Sequence, residues 1–204
     1  MEQRVGFLYG YYSEDPNYPD GVRVNIEAIY EPKQIGDYSG FHIIDEDDDF
    51  QVDILAQSLS LQRVGWIFTS VDPQNYVNPD DIRKIAEMQE RYQVRHPEGF
   101  NVSKFVTLVL KPASDGGDTL MEAYMVSDQC QALNRDKIFG DSKGKKLLVW
   151  EPTDEADLVP LVLMESKQVK EIDPIFFLVQ LGHGAPKSDE FNILWVYDFP
   201  VENR

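Results

Sequence analysis

The chain has 204 residues, and its 19 Lys+Arg against 36 Asp+Glu give a formal net charge of −17. That length is enough to bury a sizeable core, and 42% hydrophobic with 12% aromatic residues excludes a disordered chain. The charge argues against nucleic acid and anionic membrane surfaces, which are held by Lys and Arg, and the longest apolar stretch, 175–182, is far short of a membrane span.

Residues 4–12, RVGFLYGYY, read as a strand that is apolar almost throughout, as in a sheet covered on both faces. Turn chemistry fills 16–21. Val22, Val24, Ile26, Ala28 and Tyr30 then alternate with Arg23, Asn25 and Glu27, which predicts a second strand with one polar face and an antiparallel hairpin closed by a long turn. Pro32 ends it. The acidic run Asp45-Glu46-Asp47-Asp48-Asp49 has two readings, a docking patch or a helix start. The helix start is preferred, because carboxylates suit a helix N-terminus and Phe50, Ile54, Leu55 and Leu59 follow at helical spacing. A buried strand is expected at 63–68. Asn78-Pro79 then opens a helix with Ile82, Ile85, Ala86 and Gln89 on one face.

Further strands are expected at 105–110 and 120–126, around the turn segment 114–117, and Ser127-Asp128 caps a short helix reaching Asn134. Strands are then expected at 147–150, 158–165, 175–180 and 191–197. No linker composition divides residues 1–204, so they are read as one domain. The order of elements gives an α/β (α+β layered) fold, a mixed sheet flanked by helices.

Motifs for catalysis are sparse. His42, His96 and His183 lie far apart, with no neighbouring His or Cys at metal-ligand spacing. Residues 182–187, GHGAPK, lack the spacing and ending of a phosphate loop, and no G-x-S-x-G is present. Cys130 is the single cysteine. It fits a reducing compartment and is read as packing. The N-terminal residues lack the basic and apolar regions of a signal peptide.

The segments RVGFLYGYY (4–12), GVRVNIEAIYEPKQIGD (21–37), QRVGWIFTS (62–70), HPEG (96–99), SKFVT (103–107), VSDQCQAL (126–133) and FPVENR (199–204) resemble, in order, the nuclear protein localisation 4 family. The resemblance implies an MPN domain, the fold of the JAMM zinc isopeptidases. It also implies work as an adaptor of the hexameric AAA unfoldase valosin-containing protein in ubiquitin-dependent protein degradation. Implied partners are ubiquitin or polyubiquitin, including an unfolded ubiquitin, and the ubiquitin fusion degradation partner protein. The implied location is the cytoplasm and nucleus, with the cytosolic face of the endoplasmic reticulum. Family members usually carry a ubiquitin-like domain, zinc ribbons and a C-terminal domain, and none of these is expected in 1–204, nor is the usual first MPN helix.

JAMM enzymes carry His-x-His, seven residues, Ser, two residues, Asp, with a Glu on an earlier strand as general base. On this resemblance Phe68 and Ser70 stand at the two histidines, Asn78 at the serine and Asp81 at the aspartate. Gln3 stands at the base. A slip of one residue would bring Glu2 there but turn it to the other face. One carboxylate does not replace three zinc ligands, so the chain is expected to be catalytically inactive, with neither metal nor cofactor. The alternatives are a purely structural MPN subunit that pairs with another, or a residual metalloisopeptidase. Trp66, Phe68, Asn78 and Asp81 are candidates for a ubiquitin groove at the former active site, with core packing as the other reading of Trp66 and Phe68. Residues 147–165 are candidate edge strands for a partner peptide, limited by Pro152 and Pro160.

Overall fold

A computed structural model describes residues 2–44, 47–113, 116–140, 144–149, 162–164 and 167–184. The strands expected at 158–165 and 191–197, the segment 199–204, Asp45 and Glu46 lie wholly or mainly outside the described residues.

The elements in chain order are β1 (Val5–Glu14), β2 (Val22–Tyr30), β3 (Gln34–Gly36), β4 (Phe41–Ile43), α1 (Asp47–Ser58) and β5 (Gln62–Thr69). There follow α2 (Pro79–Arg91), β6 (Gln93–Arg95), β7 (Asn101–Ser103), β8 (Val106–Lys111), β9 (Leu120–Val126) and α3 (Asp128–Arg135). The short strands β10 (Leu147–Leu148), β11 (Leu163–Met164), β12 (Lys167–Gln168) and β13 (Glu171–Ile172) precede a 3₁₀ turn at Pro174–Phe177 and β14 (Leu178–Leu181). Six strands form one mixed sheet in the order β14-β9-β8-β5-β1-β2. β5 and β8 run parallel, and the crossover between them carries α2. The fold is α+β, as the sequence pattern predicts.

The main core lies on one face of the sheet. Phe7, Trp66, Phe68, Val109 and Tyr124 pack there with Ala56 of α1, Ile82 and Ile85 of α2, and Cys130 and Leu133 of α3. The other face gathers Leu8, Val64, Val106, Leu108 and Ala123. Burial on both faces explains the near-continuous apolar run of β1. The caps are those the sequence implies: Asn78 opens α2 and Ser127 opens α3.

The single polar face expected of β2 is not observed. The β1–β2 register shifts between Tyr9 and Gly10, leaving Glu27 unpaired. An extra residue in one strand reverses the alternation beyond it. Val24 therefore packs on the second cluster, while Ala28 and Tyr30 pack on the main one. A Cβ at Gly10 would stand 1.8 Å from the Asn25 carbonyl oxygen, so only glycine permits this approach.

α1 starts where the acidic run predicts but faces otherwise. Val52, Ala56 and Leu59 pack inward, while Phe50, Ile54 and Leu55 are exposed. The cause is long-range: Asp53 bonds the Tyr9 hydroxyl at 2.6 Å and buried Arg63 at 3.0 Å, which turns that side of the helix to the sheet. The strand expected at 175–180 begins instead as the 3₁₀ turn, because Asp173 accepts from the Ile175 N–H and Pro174 follows the cap. Leu147 and Leu148, read as part of a free edge, are paired on both sides. β13 lies against them, while Val149 bridges Phe139 and the Leu148 carbonyl accepts from Gly140 N–H. Residues 150–161 of that candidate edge lie outside the described residues.

Candidate functional site

The C-terminal end of β5 delivers the chain into a loop over 70–78, and α2 leaves that loop with its cap facing back towards the N-terminal residues. A cavity of about 300 Å3 opens there. Gln3, Ser70, Asn78 and Asp81 all line it, so four of the five positions equated with the JAMM machinery meet around one space.

Phe68 is the exception. It is 1% exposed, as is Trp66, and both belong to the main core. Their ring centroids are 5.5 Å apart, each within 6 Å of Phe41. The indole Nε1 of Trp66 donates to Thr107 Oγ1 at 2.7 Å, satisfying its polar atom inside the core. Neither aromatic offers surface to a ligand. The core reading of Trp66 and Phe68 is the one the geometry follows.

Asn78 and Asp81 are bound to each other. The Asp81 N–H donates to Asn78 Oδ1 and the Asn78 N–H donates to Asp81 Oδ2, both at 2.9 Å, a reciprocal capping box on α2. Asp81 is only 5% exposed. Burial pushes its carboxyl up to about 6 from an ordinary 3.8, opposed by the Asn78 N–H and the positive charge of Lys84 and helped by Asp80. Ser70 is held through its backbone, whose N–H donates to the Leu110 carbonyl at 2.7 Å. Asp72, lower on the loop, accepts from the Asn75 and Gln74 N–H groups and lies 3.8 Å from Lys145 Nζ, and its carboxyl is held below the usual range.

Gln3 is fixed by the β3–β4 hairpin. Its Nε2 donates to the Tyr38 carbonyl at 3.0 Å, and its backbone N–H donates to the Asp37 carbonyl at 3.1 Å. Gly36 lies so close that a Cβ there would stand 1.8 Å from the Gln3 carbonyl oxygen. This hairpin adds Tyr38 and Ser39 to the wall, and the C-terminal part of the chain adds Lys145, Lys146 and Ile175. Sequence reasoning did not reach these walls. The one signal for the hairpin was the turn-forming set Gly36, Asp37, Ser39 and Gly40, where Asp37 accepts from Ser39 and Gly40 N–H.

This donor set does not fit the zinc that the resemblance to JAMM enzymes implies. A phenyl ring donates nothing, a serine hydroxyl and two side-chain amides are poor substitutes for imidazole, and Asp81 already accepts a helix-cap hydrogen bond. Among the described residues no group of three His, Cys, Asp or Glu is placed to hold a metal ion. Among the described residues no helix is long and apolar enough to cross a membrane.

A six-stranded mixed sheet with helices on one face and a cap-lined cavity at the end of β5 defines an α+β protein. The profile of the NPL4 family matches residues 4–84 and 76–204, and the chain belongs to that family. It is 33% identical over 236 residues to nuclear protein localization protein 4 of Saccharomyces cerevisiae, covering 99% of this chain and 40% of that protein. It is 33% identical over 233 residues to the Homo sapiens homolog, covering 99% and 38%, and 32% over 235 residues to the Drosophila melanogaster homolog, covering 99% and 36%. The chain thus spans about two fifths of the relatives it matches. The names of these relatives point to nuclear protein localisation.

Proposed function

We propose that residues 1–204 form one MPN-like, non-catalytic domain that binds ubiquitin and a segment of the ubiquitin fusion degradation partner protein within an adaptor of the unfoldase valosin-containing protein. It would act in the cytoplasm and nucleus and at the cytosolic face of the endoplasmic reticulum. The observation that carries this reading is the cavity itself. Positions that would hold catalytic groups in a JAMM enzyme still surround one space, yet Gln3 and Ser70 stand there in place of acid and imidazole.

Such a cavity suits capture of an extended chain. Gln3 and Ser70 present amide and hydroxyl groups that can bond a peptide backbone of any sequence, while Tyr38 and Ile175 supply apolar contact at the wall. Asn78 and Asp81 stay with the helix cap, so ligand contact falls on the rim. The test is crosslinking of polyubiquitin to the unfoldase complex reconstituted with a Tyr38→Ala/Ile175→Arg variant. Both side chains are exposed, so folding is retained. Reduced crosslinking and slower substrate processing are expected. Unchanged processing by a folded variant overturns the groove, and cleavage of polyubiquitin that a chelator blocks overturns the non-catalytic reading.

A further inference from the structure

We propose that the outer face of α1 is a docking surface for a basic amphipathic helix of another protein, a reading that goes beyond the cavity and does not rest on it. The inner side of α1 is fully engaged. Ala56 is buried, Val52 and Leu59 pack on the main core, and Asp53 is tied to Tyr9 and Arg63. The opposite side carries Phe50, Ile54 and Leu55 at 70%, 53% and 50% exposure. Phe50 and Ile54 are four residues apart, so they stack along one ridge of the helix, with Leu55 beside them. Such i, i+4 ridges are what a second helix packs against. A helix with apolar residues on both sides is ordinarily covered on both.

Charge selects the occupant. Residues 47–58 of α1 contain Asp47, Asp48, Asp49 and Asp53 and no Lys or Arg, and three of these acids open the helix directly before Phe50. A second copy would bring two such acidic segments together in a chain of net charge −17, and like-charge approach disfavours that pairing. A helix whose apolar stripe is bordered by Lys and Arg meets both features at once. Apolar contact then supplies affinity, and the acidic first turn of the helix supplies a faster encounter at low salt. Among the described residues, none of α1 lines the cavity, so the two surfaces can be tested separately.

The experiment titrates the full 204-residue chain with a synthetic Leu/Lys peptide patterned as an amphipathic helix, and with a peptide of the same composition in scrambled order. Affinity for the patterned peptide should fall roughly 10-fold in Phe50→Ser/Ile54→Ser, and several-fold in Asp48→Asn/Asp49→Asn or on raising salt from about 50 to about 300 mM. Amide shifts should centre on α1. Leu55→Ser provides an independent variant should the double substitution weaken folding. Equal binding of the scrambled peptide, or unchanged affinity in both apolar variants, overturns the proposal. Self-association of the chain that Phe50→Ser/Ile54→Ser abolishes would assign the face to a second copy and equally overturn it.

Discussion

The side-chain amide of Gln89 serves Val126 as a neighbouring strand would. Its Oε1 accepts from the Val126 N–H at 2.6 Å, and its Nε2 donates to the Val126 carbonyl at 3.2 Å. The β8–β9 ladder ends at the pair Thr107–Tyr124, so β8 does not reach this residue. α2 supplies the missing partner from above the sheet. Gln89→Leu keeps a similar volume but leaves two buried backbone groups unbonded. It should cost about 2–4 kcal/mol in urea unfolding. Gln89→Ala at the same site adds a void and should cost at least as much.

Asp81 gives the stability a pH dependence of definite sign. Its folded-state carboxyl titrates near 6 and its unfolded-state one near 3.8. Between those values the folded chain binds more protons, so this group makes the fold weaker as pH rises from 4 to 6 and stronger as pH falls. Lowering the pH from 7 to 5 should add on the order of 1 kcal/mol from this residue. Asp81→Asn removes that gain while keeping an oxygen that can accept the Asn78 N–H. Denaturation midpoints at the two pH values should differ less in the variant than in the parent chain.

Arg63 pins α1 to the sheet. Its guanidinium is buried, lies 4.0 Å from the Phe7 ring centroid, and donates to both the Tyr9 hydroxyl and Asp53. Arg63→Ala leaves the Tyr9–Asp53 hydrogen bond in place but removes the counter-charge of a partly exposed carboxylate and the cation over the Phe7 ring. A loss of about 2–3 kcal/mol is expected, below the range for a fully buried pair because Asp53 keeps some solvent. Hydrogen exchange should accelerate in α1 well before it does in α2. Equal acceleration in both helices would mean that Arg63 supports the whole core.

Restoring histidines should not restore a metal site. Phe68→His places an imidazole among Phe41 and Trp66, where the ring has no described polar partner. A cost of about 2–4 kcal/mol is expected from lost packing and buried polarity. Phe68→His/Ser70→His, where it folds, should bind no stoichiometric zinc, because Asp81 is engaged at the helix cap and Gln3 is not a base. Metal analysis after dialysis measures this directly. One tightly held zinc per chain in the double variant would refute it.

Elements with local chemistry were legible in the residues. Asn78-Pro79 and Ser127 mark their helices because caps act within one turn, and the β1–β2 hairpin follows from two runs around a dense turn. The gathering of Gln3, Ser70, Asn78 and Asp81 was legible only through family resemblance, since 67 residues separate Gln3 from Ser70. What escaped depends on distant partners. The outward turn of Phe50 and Ile54 is set by Asp53 reaching Arg63, and the split face of β2 by one unpaired Glu27. The three-residue strands β3, β4, β6 and β7 are too short for any period to emerge. The inward placing of Phe68 kept two readings open because a strand bearing Trp66 and Phe68 looks alike whether a cleft or a core receives them.

The cavity takes its walls from three parts of the chain, Gln3 with Tyr38 and Ser39, the stretch from Ser70 to Asp81, and Gly144, Lys145 and Lys146 with Asp173, Pro174 and Ile175, none of which forms it alone. Occupancy is therefore a readout of cooperative folding. Any ligand that binds there would stabilise the β3–β4 hairpin, the loop before α2 and the segments at 144–146 and 173–175 together. A fragment lacking any one stretch lacks part of the wall, so an intact cavity requires that all three stretches fold together.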